Sequence, residues 1–225
     1  MRIAIFKAAA RVQEIDLEGT SRWRSFVAIT REGIGHIWAG YDHLLFLLAL
    51  LLPSVLLRRD ASWEPLPRFR PVMLDVLRVV TSFTAAHSIT LSLAALQVVS
   101  LPSRFVESAI AASVIVAAVN NVVPFLERDR WVAAFALGLL HGFGFSATLI
   151  DLGLPRSHLV PTLFGFNLGV EIGQIAVVLA FLPVAFALRG TLAYRRLALV
   201  GGSCVITAVA SAWLVERAFA IRVFT

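Results

Sequence analysis

The chain has 225 residues, 59% of them hydrophobic, with a formal net charge of +6 and a mean hydropathy of +0.84. Apolar content so far above the roughly 45–50% of soluble domains excludes an ordinary water-soluble core, and one cysteine, Cys204, excludes an intramolecular disulfide or a thiolate metal cage. The positive charge is almost all arginine placed between long apolar runs, which reads as membrane topology and lipid-headgroup contact, with no pattern for nucleic acid.

Residues 1–33 hold six Lys/Arg and four Asp/Glu. They are expected to form an N-terminal tail or an interfacial amphipathic segment around Trp23, Phe26 and Ile29. Lys7 and Arg11 interrupt the only stretch resembling a signal-peptide core, so no cleavage is expected. Residues 34–225 are expected to form one all-α domain, a polytopic integral membrane bundle of six transmembrane helices. The spans are placed at about 36–57, 72–99, 104–126, 131–152, 159–188 and 197–221. Pro65, Pro67, Pro71 and Pro102 punctuate the links, and Glu127-Arg128-Asp129-Arg130 form a tight polar one.

Links 58–71, 127–130 and 189–196 hold four, two and three arginines, against one each in links 100–104 and 153–158. The positive-inside bias then puts the first set in the cytoplasm and both termini outside, in the inner membrane of a bacterium. The basic residues of the N-terminal tail pull the other way, and the loops are given precedence because they agree with one another.

The first span opens with Gly35-His36-Ile37-Trp38-Ala39-Gly40-Tyr41-Asp42-His43. Ionisable groups at membrane depth are costly and face an interior cavity or pathway, so they are a functional-site hypothesis by default. Residues three, four and seven apart share a helical face. On the first span that stripe is His36, Gly40, His43 and Leu47, with Asp42 beside it. On the second it is Thr84, His87, Ser88 and Leu91; on the fourth, Gly138, His141 and Gly142. Glu107 and Asn121 nearly superimpose on the third, and Asn167, Glu171 and Gln174 line the fifth. Beside them Gly165, Gly169 and Gly173 form a small-xxx-small stripe that suits internal packing or a homo-oligomer equally. The sixth span offers only Gly201-Gly202 and Thr207 and is read as packing or lipid-facing.

A single membrane histidine more commonly bonds to a neighbouring helix than to a metal. Four of the five histidines, however, lie within or at the mouth of a span, together with Asp42, Glu107 and Glu171. At ~1.5 Å rise per residue these groups converge in one outer-half cavity, with Glu107 near its mouth. Imidazole and carboxylate without thiolate suit a divalent ion such as Ni(II), Co(II) or Zn(II). The metal set is His36, Asp42, His43, His87, His141 and Glu171. Thr84, Ser88, Glu107, Asn121, Asn167 and Gln174 are the expected outer-shell or pathway residues.

The H-x5-D-H spacing of His36, Asp42 and His43 resembles the signature of the HupE/UreJ family of small membrane proteins. Gly40–Phe46, Phe83–Leu91, Leu140–Phe145 and Phe166–Glu171, in that order, are similar to its second branch. The resemblance covers residues 32–180 and implies a nickel or cobalt permease accessory to hydrogenase or urease maturation. It further implies that His36, Asp42 and His43 capture the ion. Better-studied members carry F-H-G-x-A-H-G-x-E; here His141-Gly142 remain, but Phe145 and Thr148 replace the second His and the Glu. His87 and Glu171 are the donors available from other helices.

Two functions of different class follow. One is a secondary permease that captures a divalent ion at His36, Asp42 and His43 and passes it to His87, His141 and Glu171. The other is an intramembrane zinc hydrolase with Asp42 or Glu171 as general base, although no H-E-x-x-H pair is present. A scaffold with a hydrogen-bonded polar core is the third, plainest reading.

Overall fold

Long apolar runs fold as helices here because a bilayer core offers no water to backbone N–H and C=O groups. The computed structural model describes residues 2–6, 12–16, 22–59, 62–125, 129–144 and 156–221. In chain order the described elements begin with an antiparallel hairpin, β1 (Arg2–Phe6) and β2 (Val12–Asp16), in which Arg2 faces Asp16 and Phe6 faces Val12. Helices α1 (Arg22–Ala39) and α2 (Tyr41–Leu51) follow, then a second hairpin of β3 (Leu56–Arg59) and β4 (Ser62–Pro65). The rest is α3 (Phe69–Ala95), α4 (Ser103–Val122), α5 (Arg130–Gly144) and α6 (Arg156–Leu188). A π-helical segment, Tyr194–Gly201, runs directly into the last helix, α7 (Gly202–Phe219).

Four of these are long and apolar enough to cross a membrane: α3, α4, Leu159–Leu188 within α6, and the continuous Tyr194–Phe219. The pair Trp23–Ala39 and Tyr41–Leu51 qualifies together as a fifth span, bent by 71°. The six spans expected from the sequence are therefore four or five among the described residues. The span placed at 131–152 is described only as far as Gly144 and falls short in length, its remainder lying outside the described residues. The first span is also revised: helix begins at Arg22, well before residue 36, and breaks at Gly40. The all-α expectation holds for the bundle, to which the structure adds two short two-stranded hairpins.

The break has a local cause. Gly40 adopts φ −83°, ψ 90°, off the helical path, yet its N–H still reaches the His36 carbonyl at 2.9 Å and its carbonyl takes the Leu44 N–H at 3.0 Å. A Cβ at Gly40 would sit 2.7 Å from that His36 oxygen and 3.0 Å from His43 Nδ1. Only glycine keeps both imidazoles close to the bend.

Glycines also set how the helices approach. A Cβ on Gly33 would fall 2.1 Å from the Phe166 carbonyl, and one on Gly169 2.0 Å from the Thr30 carbonyl. Phe26 touches Gly165 and Ile37 touches Gly173, so α1 runs parallel to α6 along the glycine stripe. In the same way Gly138 meets the Phe83 carbonyl and Gly142 meets Thr90 and the His87 carbonyl, pressing α5 in parallel against α3. Below these contacts Phe46, Val76, Val80, Val114, Ala118 and Leu182 form the buried core. Large side chains such as Phe105, Phe164, Leu179 and Val184 face outward, as lipid contact demands.

The arginine-rich links gather at one end. Arg189 Nε donates to the Leu66 carbonyl at 2.7 Å, Arg195 to that of Trp63 at 3.3 Å, and Arg130 pairs with Asp75 at 3.1 Å. At the opposite end Arg104 donates to the Ala218 carbonyl. Among the described residues, Arg130, Arg189 and Arg195 thus lie at one end of the bundle and Arg104 at the other.

Candidate metal centre

The bend at Gly40 places His36 in the last turn of α1 and Asp42 and His43 in the first turn of α2. The two imidazoles meet edge to face with centroids 4.6 Å apart. His87, eight residues before the end of α3, brings its ring to 6.2 Å from His36 and 6.1 Å from His43. One donor atom from each of these three histidines lies within 4.8 Å of the others. An ion with bonds of ~2.1 Å spaces opposite nitrogens by at most about 4.2 Å, so small side-chain adjustments close the set on a metal. His141 of α5 packs 4.9 Å from His43, outside that group of three.

Hydrogen bonds fix which nitrogen each ring presents. Asp42 Oδ1 accepts from His43 Nδ1 at 3.0 Å, which leaves the lone pair on Nε2. Asn167 donates its Nδ2 to the Leu163 carbonyl at 2.8 Å, so its Oδ1 faces His87 and accepts from Nδ1 at 3.2 Å. Ser113 donates to the Ile110 carbonyl at 2.7 Å, and its oxygen therefore accepts from His141 Nε2 at 2.9 Å. His43 Nε2, His87 Nε2 and His141 Nδ1 are left buried with no hydrogen-bond partner among the described residues. An unsatisfied buried acceptor costs roughly 1–3 kcal/mol. Lone pairs held inward by a hydrogen bond on the far side of the ring are the usual support of a metal-binding histidine.

The surroundings are dry. Phe46 lies 4.8 Å and Phe83 5.2 Å from His141, Phe83 stacks at 6.1 Å on His87, and Phe166 flanks His36 at 5.3 Å. Phe46 and Phe83 thus lie on the arginine-rich side of the histidines. His87 and Asn167 each lie about 12 Å from the ends of α3 and of the apolar part of α6 at the other end, the half in which sequence placed the site. At that rim Arg217 Nη2 lies 3.5 Å from Asp42 Oδ2, and its Nη1 donates to the Glu107 carbonyl at 3.1 Å.

The structure separates the other expected residues. Asn167 bonds to His87, and Gln174 accepts from Thr84 at 2.9 Å between α6 and α3. Ser88 returns its hydroxyl to the Thr84 carbonyl at 2.7 Å. Glu107 is exposed near the rim, reaching the site through its backbone contact with Arg217. Asn121 lies towards the other end, donating to the Ala49 carbonyl at 2.8 Å and to Ser203 at 3.0 Å, where it ties α2, α4 and α7. Glu171 accepts from Thr81 at 2.7 Å, and among the described residues no hydrogen bond joins it to a histidine.

Two residues of the site went unread in the sequence. Ser113, the orienter of His141, is one serine in an Ala/Val helix and gives no pattern. Arg217 did leave a signal, since the span placed at 197–221 contains it as an ionisable residue.

A family profile described as HupE / UreJ protein matches residues 11–217. No curated protein and no solved structure gives a significant match.

Proposed function

We propose, from the premise that this chain belongs to the HupE/UreJ family, that it is a secondary permease for a divalent transition-metal ion, nickel or cobalt by family. The observation that supports this reading most is the meeting of His36, His43 and His87 from three helices, with donor atoms within 4.8 Å. Imidazoles with one carboxylate nearby and no thiolate favour Ni(II), Co(II) and Zn(II) over Cu(I) or iron–sulfur chemistry.

In this reading His36, His43 and His87 replace water around the ion, and His141 offers a further nitrogen alongside His43. Asp42 supplies negative charge and holds the His43 ring, while Asn167 and Ser113 hold His87 and His141. Phe46 and Phe83 form the floor that the ion passes after the site rearranges. The α1/α2 bend at Gly40 is the place to move, as in transporters whose broken helices meet at the substrate. With the arginine-rich end in the cytoplasm, the site lies towards the outside of a bacterial inner membrane and both termini are external.

Uptake of Ni(II), Co(II) and Zn(II) into proteoliposomes tests this. The permease reading predicts accumulation inside vesicles, lost in His43→Ala and His87→Ala. Stoichiometric metal that stays on the protein without flux would instead indicate a fixed ion.

A further inference from the structure

Both oxygens of Asp42 are engaged, and by different partners. Oδ1 accepts from the His43 backbone N–H at 2.9 Å and from His43 Nδ1 at 3.0 Å. Oδ2 faces the Arg217 guanidinium at 3.5 Å. Arg217 comes from the last turn of α7 and is steadied twice, by donation to the Glu107 carbonyl at 3.1 Å and by the Trp213 ring at 5.7 Å. The Asp42 and Arg217 side chains are 19% and 24% exposed, so the pair sits at the rim, between the histidines and the outside.

We propose that Arg217 is the resident counter-cation of the metal site. It neutralises Asp42 while no ion is bound, gives up Oδ2 to the arriving dication, and returns to help expel it. The inference rests on the permease reading above and adds a residue that sets affinity and release.

Charge counting supports it. A ligating imidazole is neutral, so the formal charges of the Asp42–Arg217 pair sum to zero. A dication joining them puts three positive charges against one negative at a largely buried site, where repulsion is stronger than in water. A guanidinium does not deprotonate to relieve this, so it has to move. One contact at 3.5 Å, against the paired bonds of ~2.8 Å in a bidentate arginine–carboxylate fork, leaves it able to do so. Asp42 Oδ1 keeps hold of His43 throughout, which makes Oδ2 the oxygen that exchanges partners.

The test compares wild type, Arg217→Gln and Arg217→Lys of the full chain, with Ni(II), Co(II) and Zn(II) in isothermal titration and in proteoliposome uptake. Arg217→Gln is expected to bind metal about tenfold tighter or more, since it removes a nearby positive charge. Its uptake should half-saturate at lower metal but reach a lower maximal rate, because release slows. Arg217→Lys keeps the charge and should restore wild-type affinity. Binding by Arg217→Gln that equals or falls below wild type would overturn the proposal. Should the Gln variant fail to fold, Arg217→Met, uncharged and of similar reach, is titrated in its place; it should likewise bind about tenfold tighter, and binding equal to or below wild type would overturn the proposal. A wild type that binds none of the three ions refutes the permease reading; a wild type that binds them, with Arg217→Gln identical, refutes this inference alone.

Discussion

Asp42 Oδ1 bonds to both the backbone N–H and the ring Nδ1 of the next residue, His43, at 2.9 and 3.0 Å. The carboxylate therefore locks an imidazole on its own turn of helix, with Nε2 buried and without a hydrogen-bond partner among the described residues. Asp42→Ala removes both charge and orientation and is expected to weaken metal binding by about 10–100-fold, the usual cost of losing such a partner. Asp42→Asn keeps an acceptor oxygen and should fall between this variant and wild type in titration calorimetry.

Asn167 does the same for His87 from a different helix. Asn167→Leu frees the ring to present either nitrogen, and affinity is expected to drop by about 10–100-fold. Ser113→Ala, which loosens His141, should cost less, because His141 lies outside the closest group of three. An equal loss in the two variants would place His141 among the primary ligands.

The α1–α6 contact is expected to be intolerant of a methyl group. At Gly169 a Cβ would lie 2.0 Å from the Thr30 carbonyl, whereas at Gly190 it would meet nothing within 4 Å. Gly169→Ala should destabilise the protein by roughly 1–3 kcal/mol, seen as a lowered melting temperature in detergent. It should also weaken metal binding, because α1 carries His36. Gly190→Ala should match wild type in both.

Phe46 is 2% exposed and packs on both His141 and Phe83. Phe46→Ala removes half of the aromatic floor, at a stability cost of about 3–5 kcal/mol. If it folds, metal bound at the histidines should leak across vesicles in both directions with reduced saturation. Strictly wild-type flux would show that the floor does not limit passage.

Much of the site was legible because polar groups in an apolar run have few reasons to be there. His36, Asp42, His43, His87, His141 and Asn167 stood out on that ground, and the structure brings all of them into one half of the bundle. The bend was not legible, since hydropathy is the same for a straight helix and for one kinked at Gly40. An amphipathic segment around Trp23, Phe26 and Ile29 was legible, but not its packing into the bundle, because Arg22, Arg24, Arg31 and Glu32 dilute the apolar face that meets the α6 glycines. Helical spacing placed Glu171 beside Asn167 and so grouped it with the histidines. Its bond to Thr81 depends on the crossing of α3 and α6, which one helix's sequence does not contain. The pairing of Arg217 was hidden for a similar reason, although the residue itself left a signal: its partner lies 175 residues away on another helix.

The central claim is that imidazoles from separate helices share one ion within the membrane. X-ray absorption at the metal edge of wild-type protein, loaded with one equivalent of Ni(II), Co(II) or Zn(II), tests it most directly. The account predicts multiple scattering from at least three imidazoles at ~2.0–2.1 Å, reduced by one ring in His36→Ala, His43→Ala and His87→Ala. A spectrum of oxygen neighbours alone, unchanged in those variants, would contradict it.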